Sequence, residues 1–356
     1  MTFGQRRVPV APRTWVSPMR LRIDAILWRG PIAESRHRFQ AAVSAPDGVL
    51  VAETEDGRTV TTFRSAAKPF QLLPLVERGH AARWGFDDET LAVMVGSHTG
   101  SEYHLGLVRG ILTRLGLSDR DLACGFHEPL DPGSLARIRM HPEDRSSLYN
   151  NCSGKHAGML ALALAEGWPT SGYEQAGHPV QQLMRTSVGE ACGVATESLA
   201  VGVDGCNVSV FGLALAGMAR AYARLAAARG DGEPRERALA RIRDAMRRWP
   251  RATGGAGRLS SDLMERTSGR LVAKGGAEGL ECVGLPERGL GLALKCEDGQ
   301  SRAVGPALMG LLTQLEGLTM DEIARLADLK RPVIRNHVGH EVGSLTAEIH
   351  VLEPAC

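Results

Sequence analysis

Residues 64–69 read RSAAKP, and the rest of the chain can be interpreted outward from this stretch. Ser65 and Lys68 are three residues apart, which places both side chains on one face of a helix. Pro69 is tolerated only in the first turn of a helix, so the pair is predicted at a helix start. A neutral lysine amine can remove the proton that makes a serine hydroxyl a weak nucleophile. The stretch predicts a nucleophile–base pair, although Ser-x-x-Lys alone also occurs by chance.

Lysine is scarce in this chain, which makes the few lysines informative. Arginine cannot lose its proton in a protein, whereas burial or a neighbouring cation can make a lysine amine neutral. Three lysines lie in motifs of small residues, RSAAKP, NCSGKHAG and LVAKGGAEG, and are candidates for a base or a ligand. Drift in composition is the alternative explanation. Only five of the 42 basic residues are lysine: Lys68, Lys155, Lys274, Lys295 and Lys330.

The composition is typical of a soluble globular protein, with 43% hydrophobic and 23% charged residues. A net charge of +2 and an aromatic content of 4% argue against a nucleic-acid partner. No apolar run reaches the ~18–20 residues that a membrane span needs. Seven scattered cysteines, an odd number, favour reduced thiols and a cytoplasmic location over a disulfide framework. Residues 1–21 lack the apolar segment of a signal peptide and are predicted to form a disordered tail.

The remaining chain, residues 22–356, is predicted to form a single α+β unit. Strand patterns occur in the segments 22–60 and 268–356, and helical patterns occur over about 61–267. We therefore expect one antiparallel sheet built from both ends of the chain, with a helical region between them.

The individual elements follow from periodicity and turn residues. The segment from Leu21 to Thr54 predicts two or three antiparallel strands, with Glu34 and Ser35 in a connection, and a last strand is predicted near Ala347–Leu352. Helices in the middle region are predicted at about 64–78, 88–97, 101–116, 153–166, 178–191, 208–228, 235–248 and 259–267.

A second hydroxyl–amine pair is predicted from two further motifs. Ser97 lies in a helix-end loop, GSHTG, and Lys274 begins a K-x-G triplet at the end of a strand. Together with Ser65 and Lys68 they follow the order of the serine β-lactamase and penicillin-binding protein plan. Ser97 and Lys274 could relay protons to a leaving nitrogen. An ordinary helix-end serine and a surface lysine are the alternatives.

Two cysteines in separate glycine turns form a candidate metal cluster. Cys152 and Cys206, with Asp204 and His156 nearby, could hold a cation such as zinc. The spacing lacks a C-x-x-C pair, so from spacing alone a buried hydrophobic role is favoured. That role is assigned to the other cysteines: Cys124, Cys192, Cys282, Cys296 and Cys356.

The glycine-rich stretch 254–258 is not a nucleotide-binding motif, because it has neither the G-x-G-x-x-G context nor a Walker lysine. We expect it to form a flexible loop that lines the site. Arg258 at its end is a candidate for binding a carboxylate.

Taken together, these motifs resemble the Rhizobium-type L-asparaginases, also called class 3 or thermolabile asparaginase II-like enzymes. The matches run in order from about Gly30 to Gly299. They are ESRHR (34–38), RSAAKP (64–69), GSHTGS (96–101), NCSGKHAGM (151–159), DGCN (204–207), GGAGR (254–258) and VAKGGAEG (272–279).

The resemblance implies a serine β-lactamase- and glutaminase-like fold and the hydrolysis of L-asparagine to L-aspartate and ammonia. It also implies two Ser–Lys tandems, which by motif match fall on Ser65 with Lys68 and on Ser97 with Lys274. Members of the family are typically homodimers, so we expect a homodimer here.

The resemblance further implies a zinc site that aids substrate binding rather than activating water. Its ligands match Cys152, Lys155 and Cys206, and a lysine ligand must bind as the neutral amine. The substrate-binding residues implied by motif match are Arg64, Cys152, Lys155, His156, Asp204 and Cys206.

The chain departs from the family at Thr99 and Gly100, where members often have two serines, and this leaves the substrate preference open. Within enzymes, the alternatives are a glutaminase, an esterase or a β-lactamase. Outside enzymes, the alternative is an inactive protein that binds zinc or an amino acid.

Overall fold

The structure is a computed structural model that describes residues 17–54 and 58–352. Residues 1–16 of the predicted tail lie outside this range, and Met19–Leu21 already belong to the first strand. The strands are β1 (Met19–Arg29), β2 (Ile32–Ser44), β3 (Leu50–Thr54), β4 (Val60–Thr62), β5 (Ala200–Val203), β6 (Ser209–Ala214), β7 (Val272–Gly276), β8 (Leu280–Leu285), β9 (Leu290–Cys296), β10 (Val333–Arg335) and β11 (Glu341–Leu352).

The described helices lie mostly between β4 and β7, and none of them is long and apolar enough to cross a membrane. They are α1 (Lys68–Glu77), α2 (His80–Arg83), α3 (Asp88–Met94), α4 (Glu102–Arg114), α5 (Pro132–Met140), α6 (Ser153–Glu166), α7 (Pro179–Cys192), α8 (Leu215–Ala227), α9 (Pro234–Arg248), α10 (Pro250–Thr253), α11 (Leu259–Arg266), α12 (Val304–Gln314), α13 (Met320–Arg325) and α14 (Ala327–Lys330).

The main sheet is built from both ends of the chain. Its eight strands are ordered β10-β11-β1-β3-β2-β9-β8-β7, and β1 also pairs with β2. The C-terminal β11 pairs with β1 in an antiparallel register that runs from Arg20↔Leu352 to Trp28↔Ser344. Pairing is antiparallel throughout except between β1 and β3. This layout confirms the predicted α+β fold class, with a mostly antiparallel sheet built from the N- and C-terminal strands.

A smaller sheet, ordered β4-β6-β5, lies within the region that was predicted to be helical. The predicted helix at 208–228 is therefore wrong in its first part, because β6 pairs with both neighbours and α8 starts only at Leu215. An apolar run such as VSVFGLALAG does not distinguish a buried strand from a buried helix by periodicity alone. The connection predicted at Glu34 and Ser35 is also wrong, since both residues lie in β2.

Helix α8 covers the main sheet at an unusually close approach. A Cβ atom on Gly291 of β9 would overlap the backbone of Ala219 and Ala223 in α8. A Cβ atom on Gly284 of β8 would lie 2.9 Å from the carbonyl oxygen of Tyr222. The two glycines therefore set the distance between α8 and the strands that carry part of the site described below.

This contact gives a paired stability prediction. Gly291→Ala should lower the free energy of unfolding by about 1–3 kcal/mol, because the added methyl group forces α8 away from the sheet. Gly106→Ala, on the exposed face of α4 with no neighbour within 4 Å, should raise it by about 0.5–1 kcal/mol. Urea denaturation of both variants tests the prediction, and equal effects would contradict the packing described here.

Candidate active site

A cavity of about 390 Å³ opens where the edge strand β7 meets the helical region. Its wall contains the predicted residues Arg64, Ser65, Ser97 and Lys274, together with residues of the two cysteine turns. The stretch 254–258 also lines it, through Gly254, Gly257 and Arg258. Side chains that are far apart in the sequence therefore meet at one opening.

Ser65 lies in a short 3₁₀ turn, Arg64–Ala67, that leads directly into α1. Pro69 occupies the first turn of α1, as predicted. Arg64 has a φ of +43°, a left-handed conformation that is uncommon for a residue other than glycine. The buried Tyr222 of α8 donates a hydrogen bond of 2.8 Å to the carbonyl of Ala66, which fixes the turn against the core.

The hydroxyl of Ser97 contacts the amines of both Lys68 and Lys274. Its Oγ lies 2.9 Å from Nζ of Lys68 and 2.9 Å from Nζ of Lys274. Each amine also donates to a backbone carbonyl, Lys68 to that of Gly96 and Lys274 to that of Gly275. Among the described residues, the Ser65 hydroxyl makes no hydrogen bond to Lys68. Lys68 thus contacts the second serine, and the predicted Ser65–Lys68 pairing stays a prediction.

The protonation of the two amines follows from their burial. Burial holds the pKa of Lys274 well below its ordinary value, and the nearby charge of Lys68 lowers it further. Burial also lowers the pKa of Lys68. A serine hydroxyl has one proton to donate and two lone pairs. Ser97 satisfies both contacts when it donates to a neutral amine and accepts from a charged one.

Glycines allow the site motifs to pack against one another. Gly96 precedes Ser97, and a Cβ atom there would lie 2.9 Å from the carbonyl oxygen of Thr253. A Cβ atom on Gly154, at the start of α6, would overlap the carbonyl of Val93 at the end of α3. These close approaches bring the loop of Ser97 next to the N-terminus of α6.

The thiol cluster lies at that N-terminus. Nζ of Lys155 is 3.0 Å from Sγ of Cys206, and all three predicted ligands are buried. A hydrogen bond from Cys206 and the charges of Lys68 and Lys155 hold the pKa of Cys152 well below its usual value. The same hydrogen bond and burial raise the pKa of Cys206. Burial acts to lower the pKa of Lys155, but the charges of the two thiols outweigh it, so this pKa is raised.

The structure places the two remaining predicted residues differently. Asp204, in the turn between β5 and β6, accepts a hydrogen bond of 2.9 Å from Nε of Arg64 and so connects the serine turn to the Cys206 turn. His156 is fully buried, with Nδ1 2.7 Å from the hydroxyl of Tyr173 and no hydrogen-bond partner at Nε2. Asp204 lines the cavity, and the wall residues do not include His156.

The sequence analysis missed several wall residues, among them a hydrogen-bonded pair. Glu281 of β8 is a buried carboxylate that accepts a hydrogen bond of 2.6 Å from Ser260 of α11. In the sequence GLECVGL a glutamate resembles a solvent-facing strand residue. The signal that could have revealed its burial is the otherwise apolar run of β8, which is typical of a strand buried on both faces, and all residues of β8 are buried.

The sequence matches the family model described as L-asparaginase II over residues 25–347. The chain belongs to this family. Membership covers nearly the whole chain and supports an amidohydrolase of the asparaginase and glutaminase type. No curated protein matches the sequence.

Two solved structures of a protein named Mglu are similar to the chain. The native form, solved in the presence of 4.3 M NaCl, has 17% identity and a TM-score of 0.42, and the match covers 78% of this chain and 59% of that one. The glutamate form has 17% identity and a TM-score of 0.44, with 80% and 62% covered. The chain thus spans about 60% of the length of these structures.

The hydrogen bond of Tyr222 gives a test of how the serine turn is held. Tyr222→Phe leaves the buried carbonyl of Ala66 without its partner, so the free energy of unfolding should fall by about 1–3 kcal/mol. Tyr103→Phe removes a hydroxyl that contacts Glu89 at the surface and should cost less than about 1 kcal/mol. Urea denaturation measures both, and equal losses would contradict the assigned role.

Proposed function

We propose that this chain hydrolyses the side-chain amide of L-asparagine, giving L-aspartate and ammonia, through an acyl-enzyme on Ser65. The observation that carries the proposal is the hydroxyl of Ser97 held between the amines of Lys68 and Lys274 at the wall of the cavity that Ser65 also lines. Ser65 lines this cavity and is partly exposed, whereas Ser97 is buried, so a substrate carbonyl reaches Ser65 more easily. Family membership supports the reaction class.

In the proposed reaction, Ser65 attacks the amide carbon while its proton passes to Lys68. The C–O bond forms, and the C–N bond then breaks as the nitrogen receives a proton and leaves as ammonia. Water attacks the resulting ester, which releases aspartate and returns a proton to Ser65. Ser97 carries protons between Lys68 and Lys274, so that one amine is neutral when a base is required. The contact of Ser65 with Lys68 would form with substrate bound, as catalytic hydrogen bonds often do.

The charges at the cavity suit a zwitterionic amino acid. Arg64 and Arg258 supply positive charge and Asp204 supplies negative charge at the same opening. We propose that Arg64, Asp204 and the cluster of Cys152, Lys155 and Cys206 hold the α-amino and α-carboxyl groups. His156 is buried and does not line the cavity, so it would support this cluster without touching the substrate.

The donor set of the thiol cluster fits zinc. Two thiols and an amine are soft to borderline donors that zinc prefers, and the low pKa of Cys152 supplies a thiolate. Cys206 and Lys155, whose pKa values are raised, would release their protons when the ion binds. The buried Nε2 of His156 lacks a hydrogen-bond partner, and His156 directly follows Lys155 in α6. We propose that Cys152, Lys155 and Cys206 hold the ion. When bound, zinc would supply a charged anchor for the polar end of the substrate.

The resemblance to the Rhizobium-type enzymes also leads us to propose a homodimer that acts in the cytoplasm. Six buried free cysteines among the described residues are compatible with a reducing compartment.

The first test of the proposal is ammonia release. Purified protein should release ammonia from L-asparagine, and Ser65→Ala should lower kcat at least about a thousandfold, because the proposed ester forms on the Ser65 hydroxyl. Ser198→Ala, at an exposed serine in another 3₁₀ turn, is the matched control and should keep full activity.

Mass spectrometry of quenched reactions locates the ester. An aspartyl adduct on Ser65 is expected, and an adduct on Ser97 would overturn the assignment of the nucleophile. Turnover of L-glutamine or of a β-lactam in place of L-asparagine would contradict the proposed substrate.

The metal proposal predicts a zinc content that depends on the cluster. After incubation with zinc and removal of free ions, the wild-type protein should retain one equivalent, measured by mass spectrometry of the metal. Cys206→Ala should lose most of it, because one of three donors is gone. Cys192→Ala, at a buried thiol in α7, should retain it, and equal retention by both variants would contradict the proposed site.

A further inference from the structure

The cavity wall contains a buried acid that the proposed reaction does not use. Glu281 is 4% exposed and lies on β8, next to the strand that carries Lys274. A carboxylate is rarely buried to this extent unless it is paired, since burial disfavours its charge. Its surroundings therefore indicate what holds it there.

Glu281 reaches the edge of the sheet because its neighbour on β7 has no side chain. Gly275 lies directly opposite Glu281 in the register of β7 and β8. A Cβ atom on Gly275 would lie 2.6 Å from Oε2 of Glu281, so a side chain there would displace the carboxylate from this position. The carboxylate thus lies across β7, beside the peptide that follows Lys274.

Ser260 connects the carboxylate to the same peptide. Its hydroxyl donates a hydrogen bond of 2.6 Å to Oε1 of Glu281 and accepts one of 2.8 Å from the backbone N–H of Gly275. The carbonyl of Gly275 in turn accepts a hydrogen bond of 2.8 Å from Nζ of Lys274. Hydrogen bonds thus connect Glu281 to the N–H of Gly275 and connect the carbonyl of the same residue to Lys274, which contacts Ser97.

The charged groups that face Glu281 come from two elements, Lys274 on β7 and Arg258 just before α11. Burial raises the pKa of Glu281 to about 7, against the opposing effects of the Ser260 hydroxyl, Lys274 and Arg258. In return, the charge of Glu281 raises the pKa of Lys274 against its burial and the charge of Lys68. The charge of each group thus shifts the pKa of the other.

We propose that Glu281 is a positioning residue that controls how readily Lys274 holds a proton and, through Ser260, where Lys274 lies. This inference rests on the proposed function and deepens it. Lys274 can pass protons through Ser97 only if its amine changes between the neutral and the protonated form. Glu281 supplies the balancing negative charge without touching Ser97.

The test compares pH–rate profiles of wild type and Glu281→Gln, which keeps the shape and an acceptor for Ser260 but removes the charge. The limb of the profile that belongs to Lys274 should move to lower pH by about one unit, because the charge that favours its protonated form is gone. Glu281→Asp should restore the position of this limb with a reduced kcat. Glu297→Gln, at an exposed carboxylate, should leave the profile unchanged.

A second measurement does not depend on activity. With a pKa of about 7 when folded and about 4.3 when unfolded, Glu281 binds more protons in the folded state between these values. Its contribution to stability therefore falls as the pH rises from about 4.3 to about 7. The Tm of Glu281→Gln relative to wild type should accordingly rise between pH 5 and pH 8.

The outcomes separate this inference from the proposed function. If wild type hydrolyses L-asparagine and Glu281→Gln leaves both the profile and the relative Tm unchanged, the role of Glu281 is overturned and the proposed function stands. A lower kcat with an unmoved profile also overturns it, because a merely structural role would give that result. If wild type releases no ammonia, the proposed function fails, and the coupling is tested by repeating the Tm comparison in Lys274→Met: a pH dependence shifted to higher pH supports it, because the charge that lowers the pKa of Glu281 is gone, and an unshifted one overturns it.

Discussion

The structure depends on one hydroxyl shared by two buried amines. Two ammonium groups that both lie 2.9 Å from the Ser97 hydroxyl would repel each other where little water screens them, so burial and repulsion together favour one neutral amine. Arginine could not replace either group, because it would keep its charge. A chain that uses arginine almost everywhere else keeps lysine at both positions.

The fold brings these groups together from distant parts of the chain. Lys68 starts α1 and Ser97 follows α3, while Lys274 comes from the edge strand of a sheet built from both chain ends. The smaller sheet holds the turn of Asp204 and Cys206 on the other side of the opening. The site therefore lies at the boundary between the main sheet and the helical region, and both must be in place before it exists.

Local sequence was enough to predict some of this site but not all. The location of Ser65 and Lys68 at a helix start followed from spacing and from Pro69, and the sheet followed from strand patterns at both chain ends. The contact between Lys68 and Ser97 could not be predicted, because it depends on how α1 packs against the end of α3. Glu281 was missed because burial of a strand glutamate is a tertiary property, and β6 was missed because an apolar run is ambiguous.

The most direct test of the account is the titration of Lys274 by NMR of protein labelled at lysine, which is practical because the chain has only five lysines. The signal of Lys274 is identified by its loss in Lys274→Met. The account predicts that this amine titrates far below the ordinary lysine value of about 10.4. Titration of this signal in the ordinary range would contradict the shared hydroxyl as the basis of the site.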